Sequence, residues 1–216
     1  MMKSKTRGLT VLGMFCALAY AAAAVGRIPL VLFLKYDPKD IVIAVCGLLL
    51  GPLPAFKVTL AVSFAEMLTV SENGVLGFMM NVISSCAFAC TAAFAYRRKQ
   101  GRQGALPGLL WGWACMVPVM LLWNYFIVPI NMGCTREAAA ALLLPVFLPF
   151  NLVKGGLNAA LTALLYQPAA AALRRSRLLE AEPKAREPHA GHGGAVLPVL
   201  ILAVCILSAF LLKGIF

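Results

Sequence analysis

Long, nearly uninterrupted apolar runs constrain the fold of this chain more than any other feature of its sequence. A helix needs about 20 mostly apolar residues to cross a bilayer, whereas a membrane-spanning strand alternates in polarity over about 10 residues. The runs here do not alternate, and hydrophobic residues make up 62% of the chain against 12% for charged residues. So little charge cannot cover so much apolar surface in water. The sequence therefore predicts an all-α integral membrane protein.

Polar turns and prolines divide the chain into a predicted membrane domain over 1–177 and a C-terminal extension. Six spans are predicted, over about 9–34, 41–50, 56–70, 75–96, 106–130 and 138–173. The sixth exceeds the length of one span, and its prolines at 145 and 149 predict that its start is broken off as a separate short helix or loop.

The C-terminal extension has two parts of different composition. Residues 178–195 are polar and rich in Ala, Pro, Gly and His, which predicts a flexible linker. Residues 196–216 are apolar again and predict an additional hydrophobic helix. Its apolar run is near the lower length limit for a span, so it could cross the membrane, which we favour, or lie at the membrane interface.

The basic residues indicate an orientation in the membrane. The net charge of +11 would suggest nucleic-acid binding in a soluble protein. Here the lysines and arginines cluster between apolar runs, at 3–7, 97–102 and 174–177, as they do in cytoplasmic loops. We therefore predict a multi-pass protein of the cell membrane with its N-terminus inside, in contact with lipid and not with nucleic acid.

Polar side chains within the apolar runs are the best candidates for a binding site, because such groups are costly at membrane depth. Asn151, Lys154 and Asn158 are spaced i, i+3 and i+7, so they share one helix face. They could bind a polar ligand with several carbonyl groups. Alternatively, Lys154 could form an internal pair, for example with Glu66 in the third span.

Two further asparagines, Asn81 and Asn124, lie at a depth comparable to that of Asn151 in the fourth and fifth spans. Aromatic residues accompany them, at Phe78, Trp123, Tyr125, Phe126, Phe147 and Phe150. Aromatic walls with a few placed amides are typical of pockets for planar heteroaromatic ligands. Helix–helix hydrogen bonding and an interfacial aromatic belt are the alternative explanations.

Small residues recur at every fourth position of the first span, at Gly13, Ala17 and Ala21. This spacing lets another helix approach closely. That helix could belong to the same bundle or to a partner subunit.

Motifs for catalysis and metal binding are missing from the sequence. It contains no Walker A loop and no HExxH or GxSxG motif, so we predict that the chain is not an enzyme and has no catalytic cofactor. Cys86 and Cys90 lie one helical turn apart without a nearby histidine, and His189 and His192 lie in the predicted linker. We predict no metal site from these residues.

Several stretches together carry a family resemblance. They are LKYDPKD at 34–40, the Gly-Pro turn at 51–52, GF with the following asparagine at 77–81, NYFIVP at 124–129 and PFNLVKG at 149–155. Over residues 8–175 the chain resembles the S components of energy-coupling factor (ECF) transporters, most closely the riboflavin-specific, RibU-type ones. Glu66 has no clear counterpart, and the segment after Arg177 departs from the family pattern.

The resemblance implies a six-helix transmembrane bundle that binds riboflavin, as the transported ligand, from outside. It implies association with a transmembrane coupling subunit and two ABC-type ATPases, with Ala17 and Ala21 contacting the coupling subunit. The family's ligand contacts correspond to Asn124, Asn151 and Lys154, and less directly to Asn81.

Three alternatives remain open at this point. The chain could be an S component for another vitamin, such as thiamine, a pyridoxine-like compound or a modified base. It could be a stand-alone facilitator that needs no ATPase. The third class, an intramembrane enzyme or a scaffold, is disfavoured by the missing catalytic motifs and by the lysine at membrane depth.

Overall fold

A computed structural model describes residues 5–31, 34–70, 74–98, 105–133, 135–176, 178 and 193–215. This part of the chain forms seven helices and one two-stranded antiparallel ribbon. In chain order the elements are α1 (Lys5–Gly26), β1 (Ile28–Val31), β2 (Leu34–Tyr36), α2 (Lys39–Leu50), α3 (Pro52–Thr69), α4 (Gly74–Arg98), α5 (Leu106–Met132), α6 (Arg136–Arg175) and α7 (Gly193–Ile215).

Helix length and polarity support a membrane protein. Four helices, α1, α4, α5 and α6, are long and apolar enough to cross a bilayer. The 12 residues of α2 extend only about 18 Å at 1.5 Å per residue, short of the roughly 30 Å hydrocarbon core. The predicted count of six helices is not confirmed, because the described residues form seven.

The seventh helix, α7, coincides with the additional hydrophobic helix predicted for the C-terminus, and it begins earlier, at Gly193. The predicted linker over 178–195 lies outside the described residues except for Leu178 and the first residues of α7. The proposed division of the chain into three segments therefore stays a prediction.

The prediction that the first span continues to residue 34 is wrong. Helix α1 ends at Gly26, and the chain then forms the β1–β2 ribbon, in which Ile28 pairs with Tyr36 and Pro29 with Lys35. Proline lacks the N–H that a helix interior needs, and β-branched residues such as Ile28 favour extended backbone. The prediction of an all-α protein is therefore wrong for this short ribbon and holds for the other elements of the described structure.

The predicted break near Pro145 and Pro149 is also wrong, because α6 is continuous. The helix passes through a π-helical turn at Leu143–Phe147, and α-helical geometry resumes at Leu148. Pro145 lies in the widened turn, and Pro149 lies in the first turn of the following α-helical stretch, where its missing N–H costs little. A second π-helical turn, Cys86–Cys90, interrupts α4.

Small residues let the helices pack closely against one another. A Cβ atom on Gly112 of α5 would lie 2.4 Å from the Phe88 carbonyl oxygen of α4, so only glycine permits this approach. Gly51 turns the chain from α2 into α3 with φ of 105°, a conformation that glycine adopts without strain. The buried core includes residues of α1, α2, α3, α4, α5 and α6.

Candidate functional site

A connected set of charged and polar side chains lies among the apolar helices, around the first turn of α2. Its members are buried or half-buried, and they are Arg27, Tyr36, Asp37, Lys39, Asp40, Glu66, Asn81, Ser84, Ser85, Lys154 and Asn158. Three carboxylates and three cationic side chains offset one another in this cluster. Pairing of this kind is what makes burial of charge tolerable.

The sequence at the ribbon–α2 junction explains why charges enter the bundle here. Asp37 precedes Pro38, and a residue before proline disfavours the helical conformation, so the helix begins only after it. Lys39 and Asp40 therefore form the first turn of α2. Their exposed fractions are 1% and 0%. The negative charge of Asp40 is favourable at this helix N-terminus.

The first half of the cluster is centred on Glu66 in α3. Lys39 forms an ion pair with Glu66 Oε2, and Arg27 Nη2 lies 3.4 Å from the same oxygen. Both cations also lie 3.1 Å from Asp37 Oδ2. Asn81 of α4 donates to Glu66 Oε2 at 2.9 Å. Glu66 thus joins the connection between α1 and β1, through Arg27, to α2 and α4.

The second half is centred on Asp40. Lys154 Nζ and Asn158 Nδ2, both from α6, lie 3.3 Å from Asp40 Oδ2, and Ser85 of α4 donates to Oδ1. Lys154 also donates to Ser84 Oγ at 3.3 Å. The internal partner of Lys154 is therefore Asp40, and the suggested pair with Glu66 is wrong.

Tyr36 attaches the ribbon to this second half, because its hydroxyl donates to Asn158 Oδ1 at 3.0 Å. Burial, together with the nearby Asp40 and Asp37 carboxylates, raises the pKa of Tyr36 above its ordinary value. The hydroxyl therefore keeps its proton and remains a donor.

Asp37 remains ionised in the ribbon–α2 connection. Burial acts to raise its pKa, but the cations Lys39, Lys154 and Arg27 together outweigh burial and hold the pKa below its ordinary value. Asp37 Oδ1 and Glu66 Oε1 are buried without a hydrogen-bond partner among the described residues.

Asn124 and Asn151 lie at a different place, the interface between α5 and α6. Leu121, Asn124 and Val128 share one face of α5 by their i, i+3, i+7 spacing. Leu121 and Val128 pack with Phe147 and Phe150 of α6 in one buried cluster. By this spacing Asn124 lies on the face of α5 that packs against α6, and Asn124 and Asn151 are each at most 3% exposed.

Each of these two amides carries one buried polar atom without a partner in the described structure. Asn151 Nδ2 donates to the Phe147 carbonyl oxygen at 2.7 Å, which orients the amide and leaves Oδ1 unpaired. Asn124 Nδ2 is unpaired as well. The interface thus holds one free acceptor and one free donor.

The predicted site residues are distributed over these two regions. Lys154 lies with Asn158 in the Asp40 half, and Asn81 lies in the Glu66 half. Among the described residues, no hydrogen bond joins Asn81, Asn124 and Asn151 to one another.

The predicted aromatic and small residues have different environments. Phe150 is buried at the α5–α6 interface. Phe78 packs edge-on against Phe64 at 6.4 Å between ring centroids, and Tyr125 packs against Phe126 at 5.3 Å. Ala17 and Ala21 are exposed on α1.

Sequence reasoning missed the three carboxylates Asp37, Asp40 and Glu66 as members of the site. The available signal was a glutamate inside an apolar helix and two aspartates flanking Pro38-Lys39, all costly to bury alone. Within the described residues, no group of three His, Cys, Asp or Glu side chains could hold a metal ion.

An apolar groove of about 370 Å³ opens between α5 and α6. It is lined by Leu110, Trp113, Ala114, Val117, Pro118 and Leu152. None of these residues belongs to the polar cluster or carries a predicted contact.

One comparison with known proteins identifies a family, and a second supports the fold. The family model described as the substrate-specific component of ECF transporters matches residues 7–166. A solved structure of the S component of a bacterial ECF transporter has a TM-score of 0.67 and 23% identity, covering 80% of this chain and 100% of that chain. At that identity the likeness shows the fold alone. No curated protein sequence matches the chain.

Proposed function

The chain belongs to the family of substrate-specific components of ECF transporters, and from this premise we propose that it binds riboflavin from the outside of the cell. Family membership makes it a multi-pass transport subunit and not an enzyme. The choice of riboflavin is our proposal, and it is supported by the two buried amides at the α5–α6 interface.

The observation that carries the proposal is the unpaired donor and acceptor of Asn124 and Asn151. Buried polar atoms are almost always paired, and leaving one unpaired costs about 1–3 kcal/mol. The pyrimidine edge of the flavin ring alternates carbonyl oxygens with an N–H group. Asn124 Nδ2 would donate to a carbonyl oxygen of that edge, and Asn151 Oδ1 would accept a hydrogen bond from the N–H group of the flavin.

Lys154 supplies a further donor one helical turn from Asn151. Its ammonium carries three N–H groups, and the contacts with Asp40 and Ser84 engage two of them. The third is left for a second carbonyl of the ligand. Because Asp40 offsets the charge of Lys154, the site favours a neutral vitamin over a phosphorylated one.

Aromatic residues that neighbour these polar groups along the sequence suit a flat ring system. Phe150 precedes Asn151 in α6, Tyr125 follows Asn124 in α5, and Phe78 lies one turn before Asn81 in α4. Burial of a ring system against such side chains would supply most of the affinity, while the amides and Lys154 provide selectivity.

Transport requires an energy source outside this chain. We propose that the exposed Ala17 and Ala21 face of α1 contacts a transmembrane coupling subunit, which is driven by two ABC-type ATPases. The basic clusters at 97–98 and 174–175 support an N-terminus inside the cell.

The absorption spectrum of the detergent-purified protein tests the ligand. We expect a visible flavin band that denaturation releases as riboflavin. A colourless protein that also fails to quench the fluorescence of added riboflavin would contradict this ligand and favour an S component for another small molecule.

Substitutions test the site. Lys154→Ala and Asn151→Ala should each weaken riboflavin binding at least tenfold, the effect of losing about 1.5 kcal/mol. The matched control is Gln167→Ala, which removes an exposed amide from the same helix and should leave the affinity unchanged. Unaltered affinity in both site variants would refute the assignment.

A further inference from the structure

Helix α7 lies beyond the residues that the family model matches, yet it packs closely on the shared bundle. Its contact with α6 centres on Gly156 and Cys205. A Cβ atom on Gly156 would lie 2.4 Å from Cys205 Sγ, so the absence of a side chain at 156 permits this approach. Cys205 is 7% exposed, whereas its neighbour Val204 is 63% exposed.

The same face of α7 reaches the ribbon. Cys205 belongs to a buried cluster with Tyr36 of β2 and with Val153 and Leu157 of α6. Ile201, Leu202 and Ala209 of α7 pack against this cluster, and α7 also contacts β1. Tyr36 is therefore enclosed between α6 and α7.

Tyr36 in turn is connected to Lys154 by a chain of polar contacts. Its hydroxyl donates to Asn158 Oδ1 at 3.0 Å, and Asn158 Nδ2 donates to Asp40 Oδ2 at 3.3 Å. The same Asp40 oxygen lies 3.3 Å from Lys154 Nζ. A displacement of Tyr36 would leave Asn158 Oδ1 without its donor. The Asn158, Asp40 and Lys154 side chains would then be held less firmly in their present orientation.

We propose that α7 is a brace that holds the β1–β2 ribbon against α6 and thereby fixes the Tyr36–Asn158–Asp40–Lys154 chain for ligand binding. Cys205 is a positioning residue, because it acts through Tyr36. The effect on ligand binding rests on the proposed role of Lys154, whereas the effect on the ribbon does not.

The first test measures the ribbon without any ligand. Cys205→Phe in the full-length chain enlarges the side chain that faces Gly156 and should push α7 away from α6. Val204→Phe is the matched control, since it adds the same group at the exposed neighbouring position. We measure hydrogen exchange of the ribbon amides by mass spectrometry. Exchange should be at least about fivefold faster in Cys205→Phe than in Val204→Phe, the factor that corresponds to the loss of one net hydrogen bond.

A second variant keeps the test decisive if Cys205→Phe does not yield folded protein. Gly156→Ala introduces a smaller clash at the same contact from the α6 side and should also speed ribbon exchange. Ribbon exchange equal to that of the control in both variants would overturn the brace.

The ligand provides an independent readout. In Cys205→Phe and in Tyr36→Phe, riboflavin should dissociate about fivefold faster, and the double variant should show little further change because both substitutions act on one chain of contacts. Additive effects would refute action through Tyr36. If the unaltered protein binds no riboflavin, the proposed ligand fails, while ribbon exchange still decides whether α7 is a brace.

Discussion

Replacing Asn124 with leucine should separate stability from binding in this protein. The side chain is 3% exposed, and its Nδ2 has no partner among the described residues. Leucine has the same branched arrangement of four side-chain heavy atoms and carries no polar atom. The substitution therefore removes the cost of an unpaired buried donor while it keeps the packing against α6.

The magnitudes follow from this geometry. An unpaired buried polar group costs about 1–3 kcal/mol, so Asn124→Leu should leave the free energy of unfolding unchanged or raise it by about 1 kcal/mol. If Nδ2 donates to the ligand, the same change should cost about 1.5 kcal/mol or more of binding, at least tenfold in Kd.

Two assays on the detergent-purified protein decide the matter. Thermal unfolding without ligand reports stability, and quenching of riboflavin fluorescence reports affinity. Gln167→Leu is the matched control, because it makes the same kind of change at an exposed amide of α6. A lower unfolding temperature with unaltered affinity would show that Asn124 is a structural amide, and the reasoning about a free donor would be refuted.

Three other perturbations test the cluster and the packing. Lys154→Met should destabilise the fold by about 3–5 kcal/mol in thermal unfolding, because Asp40 loses its cation, and adding Asp40→Asn should recover part of that loss. Nearby cations hold the pKa of Asp37 in the folded protein below its ordinary value. The ionised Asp37 side chain therefore contributes fully to stability above about pH 4, and this contribution is lost as the pH falls through the folded-state pKa. The free energy of unfolding, measured across this acid range, should fall less in Asp37→Asn. Gly112→Val should lower the unfolding temperature by several degrees, since its Cβ would meet a carbonyl oxygen of α4, while Gly13→Val, where a Cβ meets nothing within 4 Å, should not; equal effects would contradict the close packing.

Local features explain what the sequence predicted well. The apolar runs that became α4 and α5 were predicted to within about two residues, because apolar length and flanking polar turns are properties of a short stretch. The same locality explains the errors. A proline predicts a break, but whether a helix can absorb it in a π-helical turn, as at Pro145, depends on the wider geometry of α6.

The sequence by itself determined that this is a helical membrane protein of the S-component family, because hydrophobicity and family motifs are encoded along the chain. It also marked Lys154 as a group that needs a partner at membrane depth. Only the tertiary structure decided that this partner is Asp40 and that Glu66 pairs with Lys39 and Arg27. A buried charge is stabilised by whichever opposite charge the folded backbone brings within a few ångströms, and that distance is set by how the helices pack and not by separation along the chain.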